Sequence, residues 1–310
     1  MNYPDRELHE ECGVFGIYGV PDAANLVYYG LHALQHRGQE GCGIVARNDD
    51  GVLKRIKGEG LVTEVFNGDK IASLPGSMAI GHVRYSTSGG GGIENVQPFL
   101  FHHNTGDFAL AHNGNLVNSA QLRRYLEDHG SLFQSSSDSE ILAHLIRKDT
   151  RERKHPRIFA IREALNMIEG AFAFLIMTEN RIYVCRDKHG LRPLSLAKLG
   201  DGYVVSSETC AFDVIGAQYI RDIEPGEIVT IDHNGLRSNR YSDFYHHYMC
   251  AMEYIYFSRP DSDIEGCNVH NFRKLSGKLL FREAPADADI VVGVPDSSLS
   301  AAMGYAEAAG

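Results

Sequence analysis

An α+β sandwich is the fold class this sequence predicts, on three observations. Strand-like and helix-like segments come in blocks rather than in strict alternation. The chain has 310 residues at 43% hydrophobic content, enough for a substantial core and more than one domain. No internal repeat or low-complexity tract interrupts it except the glycine run Gly89 to Gly92, which reads as an irregular loop. Periodicity places a strand at Gly13 to Tyr18, a helix near Ala24 to Gln35, and strands at Gly43 to Arg47, Leu53 to Lys57 and Met78 to Tyr85. Helices follow at Ser119 to His129, Ser139 to Lys148 and Arg157 to Ile168. Strands at Ala171 to Thr178, Arg181 to Arg186, Tyr203 to Ser207 and Glu227 to Asp232 complete a strand-rich second half. From Cys250 the texture changes: a helix at Asn271 to Glu283, an apolar strand at Asp289 to Val294 and a helix at Ser297 to Ala309 look like the start of an α/β domain. A single buried strand has no neighbours for its backbone groups. The last seventy residues are therefore expected to be poorly ordered or to lean on something else.

Charge and composition exclude several function classes. The formal net charge of −10 argues against a nucleic-acid partner, which wants a basic face. The longest wholly apolar run, Ala171 to Met177, is seven residues, against the ~20 needed to cross a bilayer, so no membrane partner is expected. The leader Met1 to Glu11 carries four acidic residues and one arginine without an apolar core; it is neither a secretory signal nor a transit peptide, and reads as a propeptide or a disordered arm. The six cysteines (12, 42, 185, 210, 250 and 267) form no CxxC pair and no zinc-like spacing, which points to a reducing cytoplasm.

Cys12 stands between that polar leader and the apolar run Cys12-Gly-Val-Phe-Gly-Ile. If the chain is cut before it, one residue holds a thiol and a free α-amine. The amine titrates near ~8 and the thiol near ~8.5, so the amine can take the proton the attacking sulfur loses. Alternatively Cys12 is a small buried hydrophobe opening the first strand. Leu34-Gln-His-Arg37-Gly38-Gln-Glu-Gly suits a site loop, or a glycine C-cap with solvated flanks. In Gly81-His-Val-Arg-Tyr-Ser-Thr87, His82 and Arg84 share one strand face, and an arginine there can clamp a carboxylate or remain solvated. His112-Asn113-Gly114-Asn contains the strongest short hairpin signal, while the same asparagine and glycine can form a two-donor oxyanion hole. Ser137-Asp138-Ser-Glu fits a capping box, or offers a carboxylate to a ligand's ammonium.

In this order the motifs closely resemble the glutaminase domain of N-terminal-nucleophile, or class II, glutamine amidotransferases. Gly190-Leu-Arg-Pro-Leu, Ser206-Ser-Glu-Thr-Cys-Ala-Phe-Asp, Glu224-Pro-Gly-Glu and Met252-Glu-Tyr-Ile-Tyr-Phe-Ser-Arg-Pro-Asp-Ser narrow the resemblance to the glutamine phosphoribosylpyrophosphate amidotransferases, in their iron-sulfur and propeptide branch. The resemblance implies a four-layer αββα sandwich at 12–240, a propeptide at 1–11, and at 241–310 the start of a type I phosphoribosyltransferase domain. It implies that Cys12 attacks glutamine, that Asn113 and the Gly114 amide hold the oxyanion, and that Arg84 and Asp138 bind the α-carboxylate and α-ammonium. Arg37 and Thr87 would support them. Full-length members of the family transfer the ammonia to phosphoribosylpyrophosphate with magnesium, giving phosphoribosylamine for purine synthesis, and a homo-oligomer is implied.

In the turn Val294-Pro-Asp-Ser297-Ser, Ser297 matches a magnesium-linked position and Cys250 the first cysteine ligand of a four-iron four-sulfur cluster. An ordinary Pro-Asp-Ser turn capping a helix explains the former residues as well. The family's main phosphoribosylpyrophosphate signature, a hydrophobic strand ending in two adjacent aspartates followed by a Ser/Gly/Thr-rich loop, is absent from the 310 residues. One thiolate cannot hold a cubane bound by four. The expectation is a truncated enzyme with glutaminase activity at most and no assembled cluster. The alternatives are a silent, unprocessed fragment, or a related amidotransferase such as a glucosamine-phosphate synthase or asparagine synthetase.

Overall fold

The structure, a computed structural model, describes residues 12–85, 91–103, 106–153 and 156–310, and the side chains of all of these except 150–153. The leader, Thr87 and the first half of the glycine run lie outside the described residues.

Two antiparallel sheets carry the fold. The first has the order β11 (Gln218–Asp222), β9 (Ser195–Leu199), β10 (Gly202–Ser206), β1 (Gly13–Tyr18), β4 (Met78–Arg84), β2 (Gly41–Arg47), β3 (Leu53–Glu59). The second runs β13 (Gly235–Arg240), β12 (Glu227–Asp232), β8 (Ile182–Arg186), β7 (Gly170–Thr178), β6 (Phe108–Leu116), β5 (Phe99–Phe101). Helices α1 (Ala23–Ala33), α2 (Val62–Val65), α3 (Gly68–Ala72) and α7 (Cys210–Ile215) belong with the first sheet; α4 (Ser119–Asp128), α5 (Ser139–Arg153) and α6 (Arg157–Met167) belong with the second.

Strand alternation sorts the apolar side chains into three layers. Phe15, Ile44, Ala79 and Val83 pack with Val27 and Leu31 of α1. Their immediate neighbours Val14, Val45 and Ile80 turn the other way and meet Ala109, Ala111, Ala173 and Leu175 of the second sheet. On that sheet's far face Leu110, Phe172, Phe174 and Ile176 receive Leu142, Ile146, Ile161 and Leu165 of α5 and α6. Helices, sheet, sheet, helices is the resulting order, the α+β sandwich the sequence predicts. The layer between the sheets is filled by these apolar side chains, so a residue's parity on its strand decides whether it can reach the opposite sheet.

Several local expectations are corrected. Asn113-Gly114 is not a hairpin turn: β6 continues through it, paired with β7 from Phe108↔Thr178 to Leu116↔Gly170. Gly38 is not a left-handed C-cap but extended, at φ −165°, and a Cβ there would lie 2.6 Å from the Arg84 backbone. The capping box at Ser137 does not form; the Glu140 carboxylate instead accepts from the Gln134 and Ser135 amides. Asp289 to Val294 forms no strand, and Ile290, Val292 and Val294 are exposed because no described strand offers its backbone a partner.

The C-terminal residues lean on the sandwich. Ser262 Oγ donates to Glu208 at 2.7 Å and the Asp263 amide to Thr209 at 2.8 Å. Helix α8 (Val269–Glu283) continues that contact: Arg273 donates to the carbonyls of Tyr254 and Ser258. Helix α9 (Leu299–Ala309) packs on α8, with Glu307 paired to Lys274 and Lys278.

Leu175 is fully buried between the sheets. Leu175→Ala is expected to cost about 2–5 kcal/mol, whereas the exposed Val52→Ala stays within about 0.5 kcal/mol. Denaturant midpoints at constant slope check both.

Candidate active site

Parity brings the polar residues of the motifs to one place. Val14 and Ile80 face the second sheet, so Cys12, two residues before Val14, and His82 and Arg84, two and four after Ile80, carry that face to its end. On β6 the inward residues Ala109 and Ala111 are followed by Asn113. The two sheets meet across this end: His82 Nε2 donates to the His112 carbonyl at 3.0 Å. Beyond β6, Asp138 reaches back to accept from the Leu116 amide at 2.8 Å. Cys12, Arg84 and Asn113 thus turn into the inter-sheet layer at one end of the sandwich, with Gly114 next to Asn113 on β6 and Asp138 approaching that end from the helix side of the second sheet.

Cys12 is buried, and its thiol donates to the Tyr85 carbonyl at 3.4 Å. Its own carbonyl accepts from Arg37 Nε at 3.0 Å. The next residues are fixed by Ser207, whose hydroxyl accepts from the Val14 amide and whose amide donates to Val14 O, both at 3.0 Å. Three other buried cysteines, Cys42, Cys185 and Cys210, are pushed up by burial, Cys42 to about 12, and are poor nucleophiles.

Arg37 is buried away from solvent. Its guanidinium is buried, donating to Glu208 at 2.6 Å and to both Glu253 oxygens at 2.8 and 2.9 Å. Burial pushes both carboxyls up, but His36 and Arg37 at Glu208, and Arg37 at Glu253, hold them below the usual carboxylate range. Arg37 acts on the site through the Cys12 carbonyl. The sequence motifs contain both glutamates, yet local pattern gives no sign of pairing between residues so far apart along the chain.

Arg84 is buried at the end of β4, with Glu40 at 3.7 Å. Asn113 is fully buried, and neither Oδ1 nor Nδ2 has a hydrogen-bond partner among the described residues. Gly114 has φ +143°, and a Cβ there would lie 2.0 Å from the Ala171 carbonyl oxygen, so only glycine fits. Burial raises Asp138 above the ordinary carboxyl range, against the pull of hydrogen bonds from Leu116 and Ser139.

Cys250 and Ser297 lie apart from this cluster. Cys250 sits in the segment following the second sheet, its amide donating to Leu191 O. Ser297 lies in the turn before α9, beside a cleft of about 720 Å³ shared with His36 and Arg259. Among the described residues no three His, Cys, Asp or Glu side chains are grouped to hold a metal. A single thiolate and a single hydroxyl do not fit a four-thiolate cluster or a magnesium shell. No helix of the described residues is long and apolar enough to cross a membrane.

The Glutamine amidotransferase domain family matches residues 82–214. Over 98% of its length the chain is 57% identical to an amidophosphoribosyltransferase of Bacillus subtilis and 51% identical to one of Staphylococcus aureus. It spans only 63% and 61% of their lengths. A solved structure of glutamine phosphoribosylpyrophosphate amidotransferase from B. subtilis, complexed with ADP and GMP, superposes with a TM-score of 0.91 at 56% identity, over 96% of this chain and 64% of that one.

Replacing Arg37 by Met removes the main cation of two buried carboxylates, leaving only His36 beside Glu208 and Arg192 3.5 Å from Glu253, and a cost of about 3–5 kcal/mol is expected. The depressed glutamates add stability above their unfolded value of about 4.3 and lose it as pH falls. In Arg37→Met the Arg37 share of that depression is lost while the burial cost remains. The stability gap between wild type and variant should therefore widen as pH rises from about 3 to 6, as read from urea titrations across that range.

Proposed function

We propose that this chain, an amidophosphoribosyltransferase-family sequence over 98% of its length, is a glutaminase whose nucleophile is Cys12. Residues 12–240 are read as the glutaminase domain and 241–310 as the opening of a phosphoribosyltransferase domain. The observation that carries the reading is the fully buried Asn113 amide, without a partner among the described residues and turned by strand parity into the inter-sheet layer toward which Cys12 and Arg84 also turn. A buried orphan amide costs about 1–3 kcal/mol, a cost a ligand oxygen would offset.

The chemistry follows from the groups present. After removal of residues 1–11, the Cys12 α-amine takes the thiol proton and the sulfur bonds to the carboxamide carbon of glutamine. Asn113 Nδ2 and the Gly114 amide receive the oxyanion. The protonated amine returns its proton to the leaving nitrogen, ammonia departs, and a thioester remains. Water, deprotonated by the same amine, releases glutamate and restores the thiol. Arg84 offers a fork to the α-carboxylate and Asp138 a carboxylate to the α-ammonium.

In the full-length protein the ammonia would be coupled to phosphoribosylpyrophosphate, giving 5-phosphoribosylamine and pyrophosphate at the start of purine biosynthesis. These 310 residues lack the signature of that reaction, a hydrophobic strand ending in two aspartates and running into a Ser/Gly/Thr-rich loop. Magnesium and an iron-sulfur cluster belong to that larger protein, as do a homo-oligomeric state and a cytoplasmic location.

Intact mass and glutamate release from glutamine test the reading together. The expected result is loss of 1–11 with steady release of glutamate, abolished in Cys12→Ala; a processed, folded chain that releases none sinks it. Asn113→Ala should lower kcat by about 10²–10³ with little change in KM. Pyrophosphate release from phosphoribosylpyrophosphate by this chain would contradict the assignment of glutaminase activity alone.

A further inference from the structure

The register that pairs Phe99 with Leu110 puts residue 97 opposite residue 112, yet β5 begins only at Phe99. At this missing rung the Gln97 side chain replaces the strand: its Oε1 accepts from the His112 amide at 2.8 Å. That fixes the orientation of the amide group, whose Nε2 then donates to Ser139 Oγ at 3.1 Å. His112 is held on two further sides. Its carbonyl accepts from His82 Nε2 across the sheets at 3.0 Å, and its Nδ1 lies 2.8 Å from Ser139 Oγ, with the ring stacked on Phe174. Ser139 in turn donates to Asp138 Oδ1 at 3.3 Å. All four side chains, His82, Gln97, His112 and Ser139, are at most 5% exposed. Burial pushes both imidazoles down to about 3, so they are neutral around pH 7.

We propose that His82, Gln97, His112 and Ser139 are positioning residues that set the oxyanion donors and the ammonium-binding carboxylate in one frame. None of them needs to touch substrate. The His112 carbonyl belongs to the peptide unit that leads into Asn113, so the His82 bond aims the Asn113 and Gly114 donors. Ser139 fixes the other end by holding Asp138. This rests on the glutaminase reading above.

The two ends separate in kinetics. In the processed chain, His82→Leu should lower kcat for glutamine by about ten- to hundredfold with KM within about threefold, and His82→Gln, which keeps a donor, should recover most of it. Ser139→Ala should raise KM about tenfold with kcat within about twofold, and Ser139→Thr should restore it. Parallel changes in both parameters, or none, overturn the proposal. If wild type releases no glutamate, the glutaminase reading fails on its own and hydrogen exchange decides this one. His82→Leu should then speed exchange by about tenfold or more at residues 111–115 only; unchanged exchange there, or acceleration spread over both sheets, overturns it.

Discussion

Four buried charges and one carbonyl hold the edge of the sandwich where the site lies. Arg37 donates at once to the backbone of Cys12, to Glu208 and to Glu253, the glutamates lying 171 and 216 residues further along the chain. Arg192 adds a second cation 3.5 Å from Glu253. Such groups are tolerable in the interior only together, because any one left alone bears an uncompensated desolvation penalty. The turn after α1, the turn after β10 and the segment after the second sheet are therefore ordered by the same interaction, and the Cys12 carbonyl is fixed as part of it. Ser258, Ser262 and the Arg259 amide complete the shell of the two carboxylates. Geometry at Cys12 thus depends on residues 253–262 being docked, although they lie beyond both sheets.

What the sequence made legible follows the range of the forces involved. Strands buried on both faces, such as β1, β4 and β7, announce themselves by composition, and their predicted limits agree with the structure to within about two residues. Strands β11 and β13 escaped because they are sheet edges: Gln218–Asp222 and Gly235–Arg240 are polar and largely exposed, with no alternation to read. Strand β6 escaped for the opposite reason. Its Asn-Gly dipeptide carries a strong local turn preference that nine paired positions with β7 override. At Asp289 to Val294 the composition of a strand is present and the partner is not, and composition alone does not make a ladder.

The same division runs through the site. Cys12, Arg84, Asn113, Gly114 and Asp138 could be nominated from motifs, since each motif pairs a reactive or polar residue with glycine or a cap-like neighbour. Their common location could not, because it depends on strand parity in two sheets meeting across the core. Nor could the partners of Arg37 be read, since salt-bridge choice over such separations leaves no periodic trace. Gln97 is the sharpest example: its role arises because β5 starts two residues too late to supply the rung opposite His112.

Polar burial in the inter-sheet layer is graded along the strands. Through most of its length the layer is aliphatic, from Val45 and Met78 to Leu175 and Val229. At one end it changes to His82, Arg84, Gln97 and Asn113, all buried. Most polar atoms there are tied to a backbone group or to another side chain, as buried groups generally are, with His82 Nδ1 and His112 Nε2 left without a partner among the described residues. The Asn113 amide goes further: among the described residues both of its heavy atoms are without a partner. An apolar residue of similar size at 113 would remove the penalty without disturbing β6, so folding does not account for the asparagine. A neighbouring glycine that admits no Cβ, and a carbonyl anchored from the opposite sheet, hold the same stretch of backbone rigidly around it. Rigid placement of an unsatisfied donor is costly in the empty site and useful only when an acceptor arrives, which is the physical signature that separates this edge of the layer from the core it continues.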